Sequence, residues 1–361
     1  MEPATRGWRD RLPAARLLDD AESVASVLLA ITLAHLLGAR NVCWAAFSGY
    51  MVMRGHVADS VTRGALRIVG TAAGAGLALL LVPWAARPWP VAALAAAGVG
   101  GLTLYGALTG RRAYAWLFVG LTFEMVLLGA PAGPVATLVP FAATRMAEVG
   151  AGTVACVVVS SLSAVTLRRV WPAPRLPATR RLGWHGPAAR HAAQAALALA
   201  LIAMLAGLVH LPEPAQAAVS VMATMLVPVT SIGASGLVAV SRKLWQRVAG
   251  CVAGSLLAAA ALLTAGGNAA VLVAATAIGV ALGRHLENSG RSFAYVGTQF
   301  TLAVLVTLVP DDYAHADVSP ALARLGGILL GLVILEPVLV VWHLLAPGPA
   351  PAATASGPAE E

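Results

Sequence analysis

Four arginines and their spacing carry the first chemical signal in this sequence. RIVGTAAG, from Arg67 to Gly74, reads Arg, two residues, Gly, three residues, Gly, and RVAGCVAG, from Arg247 to Gly254, writes the same pattern 180 positions later. Arg145 precedes Gly152 by seven residues, and Arg324 precedes Gly331 by seven. A guanidinium fork binds both oxygens of a carboxylate. Glycines four apart share a helix face and let helix backbones approach closely in lipid. Matched arginines therefore predict two anion stations, Arg67 with Arg247 at one mouth of a path and Arg145 with Arg324 at the other. The plainer alternatives are interfacial anchors and, for Arg145, an ion pair with Glu148 one helical turn on.

Three acids interrupt apolar runs: Glu124 in WLFVGLTFEMVLLG, Glu148, and Glu336 in LVILEPVLVV. A charge at the bilayer centre costs on the order of 3 kcal/mol, so Glu124 must face the protein interior or a cavity. Pro337 has no N–H and frees the Val333 carbonyl, which makes a polar notch beside Glu336. A buried carboxyl can exchange a proton near neutral pH. Glu124 and Glu336 are accordingly candidate proton-coupling groups, with a hydrogen-bonded neutral acid or an arginine partner as the structural alternative. His35 and His343 read as helix–helix hydrogen-bonding groups. Trp116, Tyr114, Phe293 and Tyr295 read as belt anchors, with stacking on a substrate ring as the other possibility. No phosphate-binding loop, metal cluster or nucleophile-and-base pair stands out, so the sequence calls for no enzyme chemistry, metal or cofactor. The three cysteines, Cys43, Cys156 and Cys251, fit no disulfide or zinc spacing.

The elements that position these groups follow from composition. The chain is 59% hydrophobic and 11% charged over 361 residues, with a mean hydropathy of +0.80. A soluble domain carries about 25% charged residues. The apolar residues come in long blocks, the mark of membrane-spanning helices. Spans are expected at 22–39, 41–54, 68–86, 89–109, 113–130 and 140–167, and again at 189–209, 214–231, 248–265, 268–284, 292–309 and 320–346. The block at 41–54 is too short for a ~30 Å hydrocarbon core and suits a broken element packed inside protein. Counting the 23 Arg and one Lys, 20 fall on one side and four on the other: Arg40, Arg87, Arg145 and Arg324. That bias sets both termini in the cytoplasm. The polar start, MEPATRGWRDRLPAARLLDDAE, is not a signal peptide.

The two halves match in order. AAFS (45–48) pairs with AAVS (217–220) at offset 172, and RAYAW (112–116) with RSFAY (291–295) at offset 179. The jump in offset places an insertion near SIGASG. The expected fold is thus all-α and polytopic, about twelve transmembrane helices in two parallel six-helix repeats about a pseudo-twofold axis along the membrane normal. Its parts are a cytoplasmic tail (1–21), a first repeat (22–168), a basic linker (169–188), a second repeat (189–346) and a disordered tail (347–361).

CWAAFSGYMVMRGHVADSVTRGALRIVGTAAGAGLALLL resembles the signature of the fusaric acid resistance and aromatic acid exporter family. LWQRVAGCVAG, FAYVGTQFTLAVLVTLVPD and ARLGGILLG resemble its second half. The resemblance implies a bacterial inner-membrane exporter of aromatic carboxylates driven by the proton gradient. It also implies distant kinship with plant aluminium-activated malate channels, dimers of six-span subunits of which this chain is a fused version. The large soluble domain of many long members is missing, and Gln216 stands where the first repeat has Trp44. Three readings stay open: a proton-coupled exporter of organic anions, a passive anion channel, and a membrane scaffold. The expected partners are a small organic anion and the lipid bilayer, with a homo-oligomer possible and no nucleic acid.

Overall fold

The computed structural model describes residues 12–85, 88–129, 135–173, 183–209, 211–233 and 235–345. Among them are twelve α-helices and no strand. In the first half these are α1 (Leu12–Leu36), α2 (Val42–Val52), α3 (Val57–Ala85), α4 (Trp89–Thr109), α5 (Ala113–Gly129) and α6 (Val135–Val165). In the second they are α7 (Gly186–Leu208), α8 (Pro214–Met225), α9 (Leu237–Ala265), α10 (Ala269–Glu287), α11 (Ala294–Leu308) and α12 (Ser319–Leu345). Seven of these, α3, α4, α6, α7, α9, α10 and α12, are long and apolar enough to cross a membrane. The spans expected at 22–39, 41–54, 113–130, 214–231 and 292–309 fall on helices that are shorter or less uniformly apolar. The tail expected to be disordered (347–361) and the middle of the basic linker (174–182) lie outside the described residues.

Several helices start earlier than hydropathy suggests, and the reason is polar packing. α1 begins at Leu12, ten residues ahead of the apolar block. Its acids are paired: Arg168 bonds Asp19 and Glu22, Ser163 bonds Glu22, and His285 Nδ1 lies 2.9 Å from Asp20. Arg284 Nε donates to Ser23 Oγ at 2.6 Å. α3 and α9 begin at Val57 and Leu237, so Arg67 and Arg247 sit ten residues inside their helices, not at the ends. In the other direction, α8 stops at Met225 because Pro228 follows. The residue before a proline disfavours the α region, and the chain turns through a short 3₁₀ segment, Val229–Ser231.

α2 spans only 11 residues, nine of them buried, so it is an interior half-helix. Both short helices, α2 and α8, start after a residue in left-handed backbone, Asn41 (φ 60°) and Glu213 (φ 51°). α3 packs on α5, and α9 packs on α11. The spaced glycines make both approaches possible. A Cβ on Gly70 would come within 2.6 Å of the Ala115 carbonyl oxygen, and one on Gly250 within 2.5 Å of the Val296 carbonyl oxygen. The halves meet where α4 packs on α7 and where α1 packs on α10. The largest apolar core lies at the former, through Ala96, Leu104, Ala195, Leu199 and Ile202 with residues of α8, α9 and α12.

Candidate anion site

The helix starts that hydropathy missed carry the site. α3 presents Arg63 and Arg67, and α9 presents Lys243 and Arg247, each pair one turn apart on one face. They line a partly open cavity of about 670 Å³. Arg324 from α12 enters the same cavity, as do Arg54 and Arg111, and among the described residues the one acid in its wall is Asp59. Trp44, Phe47, Tyr114, Phe118 and Tyr295 supply aromatic surface. A volume of this size suits a small organic ligand, and a few convergent polar groups on an apolar wall are what orients one.

The cations are held by neutral partners. Arg67 donates to Ser48 Oγ and to the Tyr114 hydroxyl, both at 3.1 Å, with its guanidinium 4.2 Å from the Phe118 ring centroid. Arg63 donates to the Met51 carbonyl at 3.0 Å and lies 3.9 Å over the Tyr114 ring. Lys243 donates to the Leu226 carbonyl and lies 4.9 Å over the Tyr295 ring. Arg247 Nη1 donates to the Tyr295 hydroxyl (3.3 Å) and to Gln299 Oε1 (3.0 Å). Arg324 Nη2 donates to the same Gln299 oxygen at 3.2 Å. Among the described residues no carboxylate comes within ion-pair distance of Arg54, Arg63, Arg67, Lys243, Arg247 or Arg324. Burial, with the charges of Arg63 and Arg284 beside it, pushes the Arg54 guanidinium down to about 10. Crowding of like charge on this scale is costly unless an anion joins it.

Three donors have no protein partner: Arg247 Nε and Nη2, and Arg324 Nε. Arg247 and Arg324 are 2% and 4% exposed, so these N–H groups are cut off from bulk solvent. An unmade bond to a buried charged group costs more than an ordinary lost hydrogen bond. These guanidinium nitrogens lack an acceptor of their own in the protein.

The structure brings three of the four expected arginines, Arg67, Arg247 and Arg324, to the wall of one cavity. The cause is the depth of Arg247 within α9 and the reach of Gln299 from α11. Arg145 lies apart, in a small cavity of about 60 Å³. Its Nη1 pairs with Glu148 Oε2 at 3.1 Å, and its guanidinium lies 4.6 Å from the Trp44 ring centroid. The two cavities share Trp44, Arg67, Phe118, Leu121 and Val219 in their walls.

The two expected proton-coupling acids line neither cavity. Glu124 is fully buried, with both carboxyl oxygens unpartnered. It lies over Gly100 of α4, close to Leu199 of α7. Glu336 is half-buried and accepts a hydrogen bond from Ser241 Oγ at 3.0 Å. His343 meets Ser235 Oγ at 2.9 Å. Sequence reasoning overlooked Gln299, Phe47, Arg63 and Lys243. The last two had a visible signal, a basic pair four residues apart written once in each half.

An aromatic-walled cationic cavity inside a bundle of long apolar helices defines a multi-pass membrane protein. The family profile described as fusaric acid resistance protein-like matches residues 29–159 and 197–338, most of the chain. The chain belongs to that family, which is one of membrane transporters and not of enzymes. No curated protein and no solved structure matches it.

Proposed function

We propose that this protein exports organic, chiefly aromatic, carboxylates across the bacterial inner membrane by proton antiport, with both termini in the cytoplasm. The observation that carries the reading is the Arg247–Arg324 pair: two buried guanidinium groups, three unpartnered nitrogens and, among the described residues, no carboxylate within ion-pair distance. A ligand carboxylate completes that set. The five aromatic side chains of the cavity give a planar ring its contact surface. Arg54, Arg63, Arg111 and Lys243 form a basic mouth that draws anions in.

The architecture we infer is twelve spans in two repeats. Supporting it are the paired lengths of α3 and α9 (29 residues each), the left-handed residues before α2 and α8, and a family match that falls in two segments, one per half. Proton coupling is assigned to Glu124 and Glu336. Glu124 has the stronger support, because an unpartnered buried acid between the halves can gain and lose a proton as they shift. One observation favours a second reading, a passive anion channel: neither acid lines the cavity. Purified protein in liposomes loaded with labelled benzoate separates the two. Accumulation against the benzoate gradient, driven by a pH gradient at clamped voltage, is the expected result. Flux that only follows the electrochemical gradient of the anion establishes the channel instead.

A further inference from the structure

The small cavity beyond the main one holds the arginine that is already satisfied. Arg145 pairs with Glu148 at 3.1 Å, and Glu148 is fully buried with Oε1 unpartnered. The pair stands in the wall of a small cavity of about 60 Å³ that shares Trp44, Arg67 and Phe118 with the cationic cavity. The second half is built differently at the corresponding place. Offset 179, which aligns Arg145 with Arg324, aligns Glu148 with Gly327. A Cβ on Gly327 would collide with Gln216, so no acid fits there. Arg324 therefore stays open to a ligand, while Arg145 carries an acid of its own.

We propose that Glu148 is a built-in competitor at the narrow end of the path: a carboxylate leaving Arg247 and Arg324 passes to Arg145, and Glu148 then displaces it. The proposal rests on the anion-transport reading and adds a named release residue to it. Two carboxylates contend for one guanidinium fork, so the ligand is held at Arg145 only briefly. Without Glu148, Arg145 becomes a trap. No covalent step is involved. Arg145 exchanges one carboxylate partner for another.

The test uses purified full-length protein in lipid nanodiscs and liposomes with labelled benzoate as probe. Wild type is expected to bind one benzoate. Glu148→Gln keeps the shape and removes the competing charge, so a second site should appear while benzoate efflux slows about tenfold. Glu148→Ala is the second variant and should behave alike. Arg247→Gln should lose the first site. One site of unchanged affinity and unchanged efflux in both Glu148 variants, with the first site lost in Arg247→Gln, overturns the competitor role alone. No benzoate binding in wild type or in either Glu148 variant overturns the anion reading and the competitor role together.

Discussion

The two halves of the cavity wall place arginines at matching positions and then treat them in opposite ways. In the first half Arg67 is tied to Ser48, Tyr114 and the Phe118 ring, and Arg145 is tied to Glu148. In the second half Arg247 and Arg324 share a single amide oxygen, that of Gln299, and keep three guanidinium nitrogens without a partner. Position 120, which corresponds to Gln299 at offset 179, is a glycine, packed against Thr103 and Met222. A pair of like domains about a twofold axis would place two equal half-sites on that axis. Here the half-sites differ, which on the proposed reading lets one bind and the other hand on. Symmetry of the backbone does not impose symmetry of the chemistry, because each half supplies its own neighbours to the same cation.

The widest break in the comparison comes from the open arginines. Arg324→Gln or Arg247→Gln removes one of two charge-assisted contacts to the ligand carboxylate, a loss of about 2–3 kcal/mol. Benzoate affinity in nanodiscs should fall roughly 100-fold. Arg67→Gln should cost less, about tenfold, because Tyr114 and Ser48 already occupy much of its donor set and it acts through longer-range charge. Equal losses at Arg67 and Arg247 would erase the difference between the halves.

A finer test lies in the RAYAW segment. Tyr114 lines the cavity and its hydroxyl accepts from Arg67, whereas Trp116 is 40% exposed and covers Gly106 from outside. Tyr114→Phe should weaken benzoate about threefold, because Arg67 loses the hydroxyl that holds its guanidinium in the cavity wall. Trp116→Leu should leave affinity within experimental error. Titration of each variant in nanodiscs distinguishes a wall residue from a membrane anchor, which hydropathy alone assigns identically.

That ambiguity marks where the sequence stops being legible. Long apolar blocks fix α4 to the residue, at 89–109, because it buries no charge and hydropathy is its whole signal. The same logic starts α1, α3 and α9 some ten residues late, because charged residues interrupt their first turns (Arg16, Asp19 and Asp20 in α1, Asp59 and Arg63 in α3, Arg242 and Lys243 in α9) and mask the helix from a hydropathy reading. The arginine echo points to the right side chains, but the depth of Arg247 and its convergence with Arg324 on Gln299 depend on how α11 packs against α9, a long-range fact. Gln299 itself sits in FAYVGTQFTLAVLVTLV with one polar residue too many, a signal readable only once the cavity is known. Glu148 has the opposite history. Its spacing from Arg145 was plain, and only the adjoining cavity gives the pair a use.

The smallest expected change in affinity, and the sharpest test of coupling, comes from the two acids outside the cavity. They are as unequal as the arginines: offset 179 aligns Glu124 with Ala303, and Glu336 with Val157. Neither touches the ligand space, so Glu124→Gln and Glu336→Gln should each leave benzoate binding within about twofold. They should part company under a pH gradient. Glu124 has no hydrogen-bond partner, and its carboxyl lies beside Gly100 of α4, against which Leu199 of α7 also packs, so a relative shift of α4 and α7 is expected to alter its surroundings. Glu336 keeps Ser241 as a partner at the edge of the bundle. Glu124→Gln is therefore expected to abolish pH-driven accumulation while downhill flux persists, and Glu336→Gln to retain most of it. Accumulation that survives Glu124→Gln and fails in Glu336→Gln would move the coupling group to α12. Survival in both variants would leave the cavity working as a conduit, with the inequality of its two halves serving selection alone.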